Sequence, residues 1–126
     1  MSEINRADVE LKVAELRAYV EKGYGDADAR VRWAREALQE AMEADIDVSD
    51  LEAQMPELER GAIRKKAVRK VFDLRECVQT GEGNADARVR WTREAIQEAA
   101  AAGNNVSDLE AQMLELEQEV ERKVSM

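Results

Sequence analysis

Apolar residues recur at helical spacing along most of the chain, with polar and charged residues between them. In four segments the recurring positions fall on one face of an α-helix. They are Ala27, Val31, Ala34, Leu38 and Ala41; Leu51, Met55, Leu58 and Ala62; Ala85, Val89, Ile96 and Ala99; and Leu109, Met113, Leu116 and Val120. With a further segment at the start of the chain, the pattern predicts helices near 3–22, 27–44, 49–79, 85–102 and 107–124.

The first predicted helix is apolar on two faces. On a helical wheel, Ile4, Leu11, Ala14 and Ala18 point roughly opposite to Val9, Val13, Leu16 and Val20. A helix of this kind usually packs between other helices. These can belong to its own chain or to a second subunit.

Capping residues mark the predicted helix starts. Ser49 and Ser107 are each followed three residues later by glutamate, the spacing of a capping box. Glycine-rich turns precede Asp26 and Asn84, whose side-chain oxygens are suited to cap the helices that follow. The sequence therefore predicts helix starts close to these four residues.

The second half of the chain repeats the first at an offset of 58 residues. Residues 26–60 and 84–118 are identical at 25 of 35 aligned positions, which is far above chance and indicates a repeat architecture. We expect a single all-helical domain, residues 1–126, made of repeats 1–58 and 59–116 with a C-terminal helical extension over 117–126.

No glycine-rich turn separates the two copies, so the third helix of the first copy is predicted to continue into the first helix of the second. Pro56 removes a hydrogen bond from this central helix, at about 3 kcal/mol or more unless the helix bends, and we expect a kink there. The predicted fold is all-α. It has five helices from two copies of a 58-residue three-helix unit, with a long kinked central helix, arranged as a bundle, coiled coil or short solenoid.

The charge balance argues against some classes of partner. The 126 residues carry 28 Asp and Glu against 19 Lys and Arg, a net charge of −9. Nucleic acids and anionic membranes attract basic surfaces, so neither is an expected partner. Cys77, the single cysteine, cannot form an intramolecular disulfide. No apolar run resembles a signal peptide or a membrane span, and we expect a soluble, cytoplasmic protein.

Side chains with catalytic or metal-binding chemistry are sparse. The chain has no histidine, which excludes imidazole ligands and serine–histidine or cysteine–histidine dyads. The acidic segment 45–50 lacks the spacing of a calcium loop. The sequence therefore predicts no metal site, no cofactor and, on balance, no enzymatic activity.

Trp33 and Trp91 each lie among arginines, a combination that can stack on nucleobases or bind phosphate. These arginines scatter around the helix, and glutamates one turn away are candidate ion-pair partners. A structural role is favoured, since alanines beside each tryptophan are typical of a helix-packing groove. The basic run 60–70 is predicted to neutralise neighbouring acidic helices.

Several conspicuous residues change identity between the copies, among them Tyr19, Tyr24, Phe72 and Cys77. Most such differences need no functional reason. If the protein holds a ligand, a pocket lined by these four side chains and a nearby carboxylate is the predicted site.

The regular copies, the repeated caps and the Ala/Glu/Arg-rich surface make the whole chain resemble designed or engineered helical-bundle and helical-repeat proteins. The predicted function is a non-catalytic scaffold or protein-interaction module that forms a homodimer, with Ile4, Leu11, Trp33 and Trp91 at the interface. The alternative is a small-molecule binder or a simple acid–base catalyst that uses a carboxylate in the bundle core. A carboxylate facing the core would favour this alternative.

Overall fold

The computed structural model of the protein describes residues 4–23 and 25–124. Over these residues it contains five helices: α1 (Arg6–Lys22), α2 (Ala27–Glu43), α3 (Ser49–Thr80), α4 (Ala85–Ala101) and α5 (Ser107–Val124). The described residues form no strand, and among them no helix is both long and apolar enough to cross a membrane. The prediction of an all-α fold with five helices is confirmed.

The chain divides into two compact units, Met1–Ala62 and Ile63–Met126. The first contains α1, α2 and the first part of α3, and the second contains the rest of α3 with α4 and α5. Each unit therefore has three helical segments. The boundary lies four residues beyond the end of the first predicted repeat at position 58.

The core of the first unit is apolar and rich in alanine. Its largest wholly buried side chains are Leu16 and Met55, from α1 and α3. The second helix contributes alanines and a single leucine. The buried positions are Val9, Val13, Leu16, Tyr19, Ala27, Ala34, Ala37, Leu38, Ala41, Val48, Leu51, Met55, Leu58 and Ala62. Small side chains on α2 let neighbouring helices approach closely.

The second unit buries the same register of residues. Among the described residues, thirteen of those fourteen positions are buried again 58 residues later, and the fourteenth, Ala85, is partly buried. The apolar core includes Val71, Leu74 and Ile96, and Thr92 replaces the alanine found at position 34. The sequence offset therefore corresponds to an equivalent pattern of burial in both units.

Helix caps agree in part with the sequence prediction. Asp26 accepts a hydrogen bond from the Ala29 backbone N–H at 3.1 Å, and Asn84 accepts one from Ala87 at 3.0 Å, as predicted. The start of α1 was predicted at residue 3, but in the structure α1 begins at Arg6. Asn5 caps it and forms a capping box with the third helical residue, which fixes the later start.

The prediction that Ser49 and Ser107 cap their helices in capping boxes is wrong. Both helices begin where predicted, but the Ser49 hydroxyl donates to the Asp47 carboxylate at 2.8 Å, and the Ser107 hydroxyl donates to the Asn105 side chain at 2.9 Å. The same acceptors also receive the serine backbone N–H groups at 3.1 Å. An Asx turn two residues upstream therefore organises each helix start in place of a serine cap.

Helix α3 continues through Pro56, an exposed residue of its third turn. Proline donates no backbone hydrogen bond, so the carbonyl of Glu52 has no i+4 partner within the helix. At the equivalent position α5 has Leu114, which is 60% exposed. The bend predicted at Pro56 stays a prediction.

Replacing Pro56 by leucine should stabilise the protein. Because the equivalent Leu114 is mostly exposed, the gain comes from the restored backbone hydrogen bond and not from side-chain burial. We expect about 1 to 3 kcal/mol in the free energy of unfolding from denaturant titration. The reverse change, Leu114→Pro, is the matched control and should destabilise. An unchanged or lower stability of Pro56→Leu would show that packing requires the proline geometry.

Gly61 marks a close contact between α3 and α1. A Cβ atom added there would lie 2.8 Å from Cγ1 of Val20, a stiff β-branched side chain. Overpacking of about 1 to 3 kcal/mol should exceed the gain of roughly 1 kcal/mol in helix propensity, so Gly61→Ala should destabilise. Chemical denaturation measures the effect.

Two controls separate the terms of this prediction. Glu119→Ala, at the equivalent position of α5, should change stability by less than about 0.5 kcal/mol. Combining Gly61→Ala with Val20→Ala should cost less than the sum of the two single changes, since the clash is then absent. Additive effects would contradict a clash at Gly61.

Candidate functional site

Trp33 is a large aromatic side chain at the surface of the first unit. It is 40% exposed on α2, and two cations lie near its ring. Lys12 Nζ is 5.5 Å and the Arg30 guanidinium carbon 5.8 Å from the ring centroid. Cation–π attraction therefore holds an aromatic side chain in place while much of it stays in contact with solvent.

Beside Trp33 a groove of about 290 Å³ runs between α1 and α2. Ile4, Trp33 and Ala37 supply its apolar walls, while its polar lining is mainly acidic. The polar residues are Asp8, Lys12, Glu36 and Glu40. Two of the four predicted interface residues, Ile4 and Trp33, thus line one groove.

Trp91 occupies the equivalent position of the second unit. It is 46% exposed on α4, and Lys70 Nζ is 6.0 Å from its ring centroid. Lys70 corresponds to Lys12, but the residue equivalent to Asp8 is Lys66. The sequence around Trp91 is therefore more basic than that around Trp33.

Helix α1 buries only one of its two apolar faces. Val9 and Val13 are in the core, whereas Leu11 is 58% exposed, and Ala14 and Ala18 on the same side as Leu11 are also exposed. The predicted two-faced helix is therefore covered on one side. The other side presents Leu11, Ala14 and Ala18 at the surface, whereas Ile4, predicted on the same face, precedes α1 and packs partly buried against the core.

The second unit has a similar exposed apolar residue on the helix equivalent to α1. Phe72, at the position of Ala14, is 47% exposed, and the Arg69 guanidinium carbon lies 5.8 Å from its ring centroid. Each unit therefore presents one large apolar side chain on this helix in addition to its tryptophan.

The four residues predicted to line a ligand pocket lie in different surroundings. Tyr19 is buried in the first unit and Cys77 in the second, while Phe72 is largely exposed. Tyr24 lies outside the described residues. A cavity of about 200 Å³ lies against Cys77, and Phe72 is not among the residues that line it.

Three of the arginines near Trp33 and Trp91 form ion pairs between helices. Arg35 pairs with Glu59 of α3, and Arg93 repeats this contact with Glu117 of α5. Arg30 lies 3.5 Å from the Glu15 carboxylate of α1. These arginines thus contact glutamates of neighbouring helices. The glutamates one turn ahead on the same helix, Glu36 and Glu94, follow Arg32 and Arg90 instead.

A second repeated contact joins the helix starts. Arg6 donates to both carboxylate oxygens of Asp50, at 2.9 and 2.5 Å, and Arg64 donates to Asp108 at 2.8 Å. The hydrogen bond from Arg6 lowers the pKa of Asp50 to about 2. Hydrogen bonds from the Ser49 hydroxyl and backbone N–H lower the pKa of Asp47. Arg64, part of the basic run, therefore contacts an acidic helix start as the sequence predicted.

Within residues 4–23 and 25–124, no three His, Cys, Asp or Glu side chains are grouped so that they could hold a metal ion. The phenol of Tyr19 is buried in this part of the chain, and so is one side chain of a polar residue type, Thr92. The Thr92 hydroxyl lies 2.6 Å from the Arg88 carbonyl and 3.2 Å from the Lys70 carbonyl. The described core thus contains the hydroxyls of Tyr19 and Thr92 and no carboxylate.

Comparison of the chain with protein-family models, with curated proteins and with solved structures gives no match. The functional argument therefore depends on the chain's own geometry.

Protonation of Asp50 should remove part of the stability at low pH. Because the pKa of Asp50 falls from about 4 to about 2 on folding, the unfolded chain binds the proton more readily. The contribution of the ionised pair is complete above about pH 4 and is lost as the pH falls through about 2. Asp50→Asn should therefore lower the thermal midpoint at neutral pH, with the difference from wild type shrinking between pH 4 and 2.

The Arg6→Gln background provides the control, since Asp50 then has no guanidinium partner. In that background the difference caused by Asp50→Asn should show little pH dependence in this range. If Asp50→Asn, with Arg6 present, lowers the thermal midpoint by the same amount at every pH from 7 to 2, the role assigned to the Arg6–Asp50 ion pair would be contradicted.

Proposed function

We propose that this chain is a non-catalytic helical scaffold that associates with a second copy of itself. The observation that carries this proposal is the exposed apolar surface of the first unit. Leu11 on α1 and Trp33 on α2 are 58% and 40% exposed, and Ile4 lines the groove beside Trp33. Large aromatic and aliphatic side chains beside a groove are typical anchors of protein interfaces.

Charge supports a second copy as the partner. The groove beside Trp33 includes Asp8, Glu36 and Glu40 together with Lys12. The equivalent positions around Trp91 hold Lys66, Glu94, Glu98 and Lys70, so the Trp91 surface is less acidic. We expect the acidic Trp33 groove of one copy to contact the less acidic Trp91 surface of the other.

The alternative of an acid–base catalyst has no support in the described core. A carboxylate with a raised pKa would have to be buried in the bundle, but the polar groups on buried side chains of the described residues are the hydroxyls of Thr92 and Tyr19 and the thiol of Cys77. Both hydrogen-bond partners of Thr92 are backbone carbonyls, which suits a structural hydroxyl. The small-molecule alternative has an independent observation, the cavity beside Cys77.

Sedimentation equilibrium at micromolar concentration tests the proposal. We expect a dimer, and Leu11→Glu should shift it to monomer because a charge would be buried against apolar surface. Trp33→Ala should weaken association roughly 30-fold or more, the effect of losing an interface anchor of about 2 kcal/mol.

Leu114→Glu is the matched control. Leu114 is 60% exposed on α5, about as much as Leu11, but it lies outside the proposed interface. This variant should remain dimeric with unchanged helicity by circular dichroism. A wild-type protein that is monomeric with native helicity, or equal loss of dimer in both glutamate variants, would overturn the proposed interface.

A further inference from the structure

The second unit contains a cavity of about 200 Å³ near the end of α3. Its inner wall is apolar and buried, formed by Cys77, Val78 and Val120. Gly81 and Lys123, which also line it, are exposed and place its mouth at the surface. A dry apolar cavity of about 150 Å³ is sufficient to bind benzene, so this one is large enough for a single aromatic ring.

The first unit has different residues at two of the corresponding positions, with Tyr19 in place of Cys77 and Ala62 in place of Val120. Tyr19 is the counterpart of Cys77, and the two residues are 4% and 6% exposed. Their backbones are also equivalent: the Gly23 N–H donates to the Tyr19 carbonyl at 2.7 Å, and the Gly81 N–H donates to the Cys77 carbonyl at 2.8 Å. The first unit therefore has a phenol ring in its core where the second has only a thiol.

The polar end of the cavity is suited to a hydroxyl group. Lys123 Nζ donates to the Val78 carbonyl, and an ammonium group has three N–H donors. After this contact two donors remain to be satisfied by solvent or by a ligand oxygen. A ligand hydroxyl at the mouth would replace a water molecule at the Lys123 ammonium group. The ring of the same ligand would fill the space beside Cys77.

We propose that this cavity binds small neutral phenols, the ring in the place that Tyr19 fills in the first unit and the hydroxyl toward Lys123. The site is separate from the proposed dimer interface, because none of its lining residues belongs to that surface. Burial of the ring supplies most of the binding free energy. The hydroxyl contact supplies preference over an unsubstituted ring.

The test uses p-cresol, the side chain of tyrosine, with the full-length chain under reducing conditions. Isothermal titration calorimetry should show saturable binding of one p-cresol per chain. Amide shifts in nuclear magnetic resonance spectra should centre on Val78 and Gly81. Toluene should bind more weakly than p-cresol. Failure of p-cresol to saturate at millimolar concentration, or shifts spread evenly over the chain, would overturn the proposal.

Two substitutions use the repeat as a matched pair. Cys77→Tyr should fill the cavity, abolish p-cresol binding and raise the melting temperature of the free protein. Tyr19→Cys should open a second site and raise the stoichiometry from one to two. Unchanged binding in Cys77→Tyr would overturn the site, as would unchanged stoichiometry in a folded Tyr19→Cys. The wild-type shift map decides the question independently if either variant is unfolded.

Equal affinity for toluene and p-cresol would overturn the role assigned to Lys123. Lys123→Met, which keeps the length of the side chain and removes its donors, should erase the preference for p-cresol and leave toluene binding unchanged.

Discussion

Close approach of helices through alanine is the constraint on which the rest of this structure depends. In the first unit Ala34 and Ala41 are wholly buried and Ala62 is 1% exposed. Since α2 contributes so little side-chain volume, the centre must be filled by Leu16 and Met55 from the other two segments. A core of this size in about 60 residues leaves a small margin of stability. A helix cap, an ion pair between helices, or the loss of one aromatic ring, as where Cys77 replaces Tyr19, is therefore a larger share of the folding stability here than in a larger domain.

The sequence predicts the helices well because one apolar stripe per helix is a sufficient signal for burial. It predicts their ends less well. At Ser49 a cap can be completed by Asp47, two residues upstream, or by Glu52, three residues downstream. The local sequence pattern does not decide between them. The structure uses Asp47. On α1 both faces are apolar, and only the tertiary arrangement shows that Val13 is buried while Leu11 is exposed.

The sequence indicates candidate residues for the sites but not the neighbours that complete them, and the reason is physical. Tyr19 and Cys77 attract attention because a large residue changes to a small one between copies, but the resulting volume depends on neighbours from two other segments, such as Val120. The prediction of ion pairs from the sequence fails for the same reason. Arg35 has Leu38 and Gln39 one turn ahead of it on α2, and its contact with Glu59 needs α3 to lie alongside α2. Local pattern gives candidates, and packing selects among them.

The repeat at an offset of 58 residues makes the differences between the two units informative, because most of their core positions are equivalent. If both units kept an acidic groove beside the tryptophan, contact between the Trp33 groove of one chain and the Trp91 surface of another would bring like charges together. The change from Asp8 to Lys66 at equivalent positions reduces that repulsion. In the proposed dimer a surface substitution thus distinguishes two units that bury the same register of residues.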